Sequence, residues 1–196
     1  NTRTRPAMPT RHKYTRLRGY DYAQGGAYFV TMNTHDRGHL FGRVVSGRGD
    51  ASTLLNDHGT IVQECWNAIP AHFPGVFTDA FQIMPNHVHG VGVIEDAPVG
   101  PAANDPDGRR GASTQQNSGR DDGRARGAKP RSLGAIVGSF KSAAAKRINE
   151  QRGTPGAPVW QHNYHDRIIR DPDEHDRIAQ YIFDNPANWA NDPENR

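Results

Sequence analysis

The sequence predicts an α+β domain of ferredoxin-like type, a βαββαβ chain. Its strands form one antiparallel sheet with helices on one face, and a further helix is appended at the C-terminus. Three observations carry this reading. Short runs of β-forming residues alternate with longer segments of helical periodicity. Two of those runs meet so tightly at Pro85-Asn86 that they pair antiparallel. The last periodic segment follows the last strand and has no strand after it.

The elements come in order. Ala27 to Thr34 (AYFVTMNT) is rich in β-formers and gives the first strand. Leu40 to Leu55 carries the turn signal Gly-Arg-Gly-Asp, which fits a hairpin or an irregular excursion. Ile61, Val62, Cys65, Trp66 and Ile69 recur at helical spacing, and Pro70 should kink or end that helix. Phe77–Met84 and His87–Ile94 are the central strand pair. Ser132 can cap a helix whose Leu133, Ile136, Val137, Phe140, Ala144 and Ile148 form one stripe. Val159–Trp160 and Arg167–Arg170 are both segments that can supply a last strand, and Pro172 to Asp184 reads as a helix with acidic residues in its first turn.

The domain limits follow from composition. The hydrophobic fraction of the 196 residues is 34%, with 21 Gly and 14 Pro, and the deficit is local. Residues 1–22 read as a basic arm, with Arg3, Arg5, Arg11, Lys13, Arg16 and Arg18 crowded together. Residues 23–196 read as the domain, interrupted at about 96–131 by a Gly/Arg-rich disordered insertion. The net charge is only +3, so the arm, more than the sum, points toward a polyanion such as nucleic acid; a solvated tail is the plainer alternative. Cys65 is the single cysteine, which excludes a disulfide framework and implies a reducing, cytoplasmic setting. No run reaches membrane-spanning length, so no membrane partner is expected.

The chemistry concentrates in two places. In Met84-Pro85-Asn86-His87-Val88-His89-Gly90 the strand period of two puts His87 and His89 on one face, a natural pair of metal ligands, with Val88 in the core. Gly90 and Gly92 share the Val88 face, where missing side chains let a helix approach. In Tyr181-Ile182-Phe183-Asp184-Asn185-Pro186 the helical period puts Tyr181 and Asn185 on one surface, about 6 Å apart along the axis. The Asn185 amide oxygen then offers a third ligand. A His, His, amide-oxygen set with open positions suits Mg²⁺ or Mn²⁺ better than a closed zinc site. The alternatives are idle histidines on a strand face and a helix that packs Tyr181 and ends at Asn185-Pro186. Pro186 also biases Asn185 away from helical dihedrals.

Together, MPNHVHG and YIFDNP resemble the HUH motif and the catalytic helix of the REP-associated tyrosine transposases, relatives of the single-tyrosine HUH transposases. Arg16–Thr34, the VQECW segment ending at Trp66, SFKS from Ser139 and WQHNYHDRIIR from Trp160 to Arg170 are similar as well, while the Gly/Arg insertion is not matched. The resemblance implies that His87, His89 and Asn185 hold Mg²⁺ or Mn²⁺. It implies that Tyr181 attacks a phosphate of single-stranded DNA beside a hairpin, forming a 5′-phosphotyrosine, and that the protein is a homodimer. It thus implies a metal-dependent DNA endonuclease and strand transferase with a C-terminal catalytic helix. Lys141 or Arg170 would help the phenolate form.

Other residues leave alternatives open. Arg16, Arg18 and Tyr20 suit backbone contacts and base stacking, or packing of the arm on the domain. Lys141, Lys146 and Arg170 suit DNA phosphates, or a solvated surface. Tyr164, amid His162 and His165, is a rival nucleophile. Two other functions compete: a catalytically inactive relative that binds structured nucleic acid, and a small metal-dependent hydrolase that uses water.

Overall fold

The computed structural model describes residues 20–47, 51–96 and 131–195. Most of the basic arm, with Arg16 and Arg18, lies outside the described residues, as do residues 48–50 of the Gly-Arg-Gly-Asp turn and residues 97–130 of the insertion.

In chain order the elements are β1 (Gly26–Asn33), β2 (Gly42–Ser46), β3 (Ala51–Leu55), α1 (Asp57–Asn67), α2 (Ile69–His72), β4 (Val76–Met84) and β5 (His87–Ile94). Then come α3 (Leu133–Gln151), β6 (His165–Ile169), α4 (Pro172–Asp184) and a 3-10 helix, Pro186–Asn191. The main sheet runs β4-β5-β1-β6 with every neighbouring pair antiparallel. With α1 between β1 and β4 and α3 between β5 and β6, this is the expected βαββαβ arrangement. The excursion between β1 and α1 pairs with itself as the β2–β3 hairpin.

Local signals act where the sequence puts them. Asn56 caps α1, its Oδ1 accepting from Gly59 N at 3.0 Å. That helix stops at Asn67, and Pro70 sits in the first turn of α2, where its missing N–H costs nothing. Ser132 caps α3 through Ala135 N at 3.3 Å. The six-residue stripe of α3 is buried against Val62, Cys65 and Trp66 of α1 and against Tyr28, Val30 and Val88 of the sheet. Of the two candidate last strands, β6 joins the sheet and Trp160 makes only an isolated bridge to Thr34.

The two glycines of β5 part company. A Cβ at Gly90 would come within 2.5 Å of the Trp66 ring, so α1 does pack close there. At Gly92 a Cβ would meet nothing within 4 Å, which corrects the expectation that both glycines admit a helix. The reason is a small apolar cavity between sheet and helices, bordered by Gly92, Val30, Trp66, Val76, Ile136 and Phe140. Gly90→Ala is expected to destabilise the protein by about 1–3 kcal/mol through overpacking. Gly92→Ala should stabilise it by roughly 0.5–1 kcal/mol, because the unfolded chain loses freedom and the void is partly filled. Paired thermal melts check both signs.

Candidate metal centre and active site

Strand alternation sends Val88, Gly90 and Ile94 toward α1 and α3, and His87, His89 and Val91 toward the opposite face. Across the register, Asn33 stands opposite His87 and Thr31 opposite His89 on that second face. Helix α4 covers it, with Ile178, Tyr181 and Ile182 packed over Ala80, Val91 and Phe29. Three ties hold this helix in place. Asp171 caps it through Glu174 N at 2.7 Å, and Glu174 accepts from Arg170 N at 2.9 Å and pairs with Arg167. His175 Nε2 lies 2.8 Å from Asp79 on β4.

The tyrosine and both histidines therefore converge. His87 Nε2 and His89 Nε2 are 3.1 Å apart, and Tyr181 Oη is 3.4 Å from His89 Nε2. The Phe29 ring flanks both His89 and Tyr181. Both histidines are fully buried. Burial, then the nearby Arg37 charge, pushes the His87 pKa down to about 3. Burial and His87 hold His89 well below the ordinary range, with Asp192 opposing. Both imidazoles are therefore neutral at pH 7 and carry lone pairs for a metal.

That neutrality has a cost in acid. In the unfolded chain each histidine regains a pKa near 6.5 and takes up a proton that the folded protein refuses. Stability of the metal-free protein should thus fall as pH drops from about 6.5 toward 3, by up to about 1.4 kcal/mol per pH unit for each histidine. Between pH 6.5 and 5, before most carboxylates titrate, His87→Asn should flatten this slope in melts; an unchanged slope would place the acid sensitivity elsewhere.

Asn185 sits one turn after Tyr181 and corrects one expectation. Its φ of −58° and ψ of −44° are helical despite Pro186, because α4 runs straight into the 3-10 helix and buries both residues. The bias before proline is steric and yields to packing. Asn185 Nδ2 donates to Asp192 Oδ2 at 2.8 Å, and the buried Asn185 Oδ1 has no hydrogen-bond partner.

Asp192 and Glu194 are the residues that sequence reading missed. The 3-10 helix folds the end of the described chain back over the histidines, with Trp189 against His87 and His39. Asp192 is buried, and with His87 and His89 it offers donor atoms all within 4.8 Å of one another. Glu194 Oε2 accepts from Asn33 Nδ2 at 2.9 Å and pairs with Arg37 at 3.0 Å, while its carbonyl oxygen accepts from Asn86 Nδ2 at 2.7 Å. Nothing in the acidic, polar run after Trp189 distinguishes these two residues from a solvated end. Burial raises the Tyr181 pKa above its ordinary value, the Asp192 and Glu194 charges add to it, and the Asn185 side chain beside the phenol opposes.

A divalent cation fits this donor set: two neutral imidazoles, a buried carboxylate and a buried amide oxygen without a hydrogen-bond partner. The remaining candidates are scattered. Tyr20 packs on Tyr22 and Tyr28 at the helix-covered core, and Tyr164 joins that same core, away from the histidines. Lys141 Nζ donates to the carbonyls of Gln161 and His162 at 2.6 and 3.1 Å, and burial lowers its pKa. Lys146 makes a surface pair with Glu150, and the Arg170 side chain is exposed at the start of α4.

No protein-family model matches the chain. An uncharacterized protein of Haemophilus influenzae is 33% identical over 177 residues, covering 90% of this chain and 89% of that one. The structure resembles that of a REP-associated tyrosine transposase bound to a REP hairpin, with a TM-score of 0.50 over 90% of this chain and 74% of the other. The two are 16% identical, so this is a likeness of fold.

Proposed function

The chain belongs to the same family as the Haemophilus influenzae protein, and for it we propose tyrosine-dependent nicking and joining of single-stranded DNA, the activity of a transposase. The observation that carries the reading is the Tyr181 hydroxyl 3.4 Å from His89 Nε2, beside two neutral histidines. The fold likeness to a transposase bound to a hairpin supports it and suggests hairpin DNA as the partner.

His87 and His89, with Asn185 Oδ1 or Asp192, would hold Mg²⁺ or Mn²⁺, which polarises a phosphate and withdraws charge from its oxygens when bound. The chain's own residues do the rest. Tyr181 Oη attacks phosphorus and loses its proton, the bond from phosphorus to the 3′ oxygen breaks, and that oxygen gains a proton. The products are a 5′-phosphotyrosine and a free 3′-OH, so the phosphodiester energy is kept and the step reverses on another strand. Helix α4, tied by Asp171, Glu174 and His175, holds the phenol over the histidines. A homodimer acting on chromosomal DNA in the cytoplasm completes the proposal; among the described residues no helix is long and apolar enough to cross a membrane.

Covalent capture tests it. Protein is incubated with labelled hairpin-bearing single strands and Mn²⁺, denatured, and examined for a shifted adduct mapped by mass spectrometry. An adduct on Tyr181 that needs metal is expected. Nicking without an adduct would favour a hydrolase using water. Metal and hairpin binding with no cleavage across a broad library would leave a binding protein.

A further inference from the structure

Beside the histidines, an anionic oxygen sits between donors from two residues of the β1 end. Glu194 Oε2 accepts from Asn33 Nδ2 at 2.9 Å and lies 3.0 Å from Arg37 Nη1. A carboxylate only accepts, so Asn33 shows it the N–H side of its amide. Asn33 stands opposite His87 in the register, and the Arg37 charge is near enough to act on His87. The Glu194 charge reaches the Tyr181 phenol as well. The oxygen between the two donors therefore lies among the residues that would cut a strand.

The fold holds Arg37 in this place. Thr34 N donates to the Asn86 carbonyl at 2.9 Å, and Thr34 Oγ1 is shared between the carbonyls of Asn86 and Gly38 at 3.0 and 2.9 Å. This ties the end of β1 to the residue before His87. Arg37 N then donates to Thr34 O at 3.2 Å, and Arg37 takes a φ of 56°. A residue with a Cβ enters that left-handed region only where its surroundings hold it. The partner, however, is poorly aimed. Arg37 Nη1 is buried, yet its contact with Glu194 is an ion pair without hydrogen-bond alignment. A guanidinium accepts carboxylate and phosphate oxygens alike, and a phosphodiester brings two non-bridging oxygens to share between the donors.

We propose that Asn33 Nδ2 and Arg37 form a phosphate site for the bound DNA strand, with the Glu194 carboxylate standing where a non-bridging phosphate oxygen goes. The inference rests on the nucleic-acid reading above and does not require the metal. No bond is made or broken at this site; one anion replaces another. The contact is to the backbone, so it adds affinity at every sequence and leaves the choice of bases to other residues.

The test is fluorescence anisotropy on the full chain with a labelled DNA hairpin carrying single-stranded flanks, in chelator so that no strand is cut. Arg37→Gln is expected to bind about tenfold more weakly, the order of one charge-assisted hydrogen bond. Its salt dependence should be shallower by about 0.7 in log–log slope, one single-strand phosphate contact. Glu194→Gln should bind about tenfold more tightly, because a neutral amide competes less for the guanidinium. The double variant should bind as weakly as Arg37→Gln, since removing the resident helps little once its donor is gone. Arg37→Lys keeps the charge without the fork, so it should restore the salt slope and only part of the affinity. The proposal is overturned if Arg37→Gln binds as the parent does, or if the double variant matches the parent, the sum expected of two unrelated surface charges. It is also overturned if Arg37→Gln and Glu194→Gln weaken binding alike, as partners in a purely structural pair would. A parent protein that binds no hairpin-bearing strand would sink the nucleic-acid reading and this site together, whereas tight parent binding with unchanged variants removes only the site.

Discussion

Tyr181→Phe is expected to abolish the protein–DNA adduct and to slow strand cleavage by at least about 10⁴-fold, the order lost when a covalent nucleophile is removed. The substitution is clean because the ring does the packing. Its edge contact with Phe29 and its tilted contact with His89 survive in phenylalanine. The hydroxyl's contact with His89 is long, at 3.4 Å, so folding stability should change by less than about 1 kcal/mol. Tyr164→Phe is the matching control, since Tyr164 packs on the far side of the sheet and should leave the rate unchanged. A pH profile adds a second readout. Burial and the Asp192 and Glu194 charges raise the Tyr181 pKa, so the phenol is protonated at neutral pH, and the rate should climb from neutral into alkaline solution. Retention of the adduct in the Tyr181→Phe protein would remove this residue from the chemistry.

What the sequence discloses about this site divides by distance along the chain. His87 and His89 share a face because of a strand period of two, and Tyr181 and Asn185 share one because of a helical period; both are rules over a few residues. The βαββαβ order was readable for the same reason, through the stripe of α3 and the tight turn at Pro85-Asn86. Thr31 is a different case. Its strand is evident, but its place opposite His89 depends on register between segments 58 residues apart. Asp192 and Glu194 are hardest of all, because Glu194 reaches Asn86 across 108 residues and Asn33 across 161. No periodicity encodes that return; it follows from a 3-10 helix packing on a surface that exists only after the sheet has formed. The same logic explains Gly92, whose lack of a side chain looks like Gly90's until the cavity beside it is seen.

The returning segment sets the second large effect. Under the proposed function, a substrate phosphate that approaches the histidines from the side of Asp192 and Glu194 meets their carboxylates. A carboxylate and a phosphate about 5 Å apart at an effective dielectric of about 20 repel by roughly 3 kcal/mol, a factor of about 100. Against this stands the help Asp192 would give in holding a cation, as one of three donors with His87 and His89. The two effects have opposite signs in different assays, so Asp192→Asn separates them. Without DNA, this variant should bind Mn²⁺ more weakly than the parent. With DNA and saturating Mn²⁺ it should form the Tyr181 adduct up to about 100-fold faster, and the advantage should shrink as salt screens the repulsion. That pairing of weaker metal binding with faster chemistry identifies the Asp192 carboxylate as the occupant of a position the substrate phosphate takes over. A variant slower in both assays would make Asp192 a ligand retained through the reaction, with DNA entering by another side.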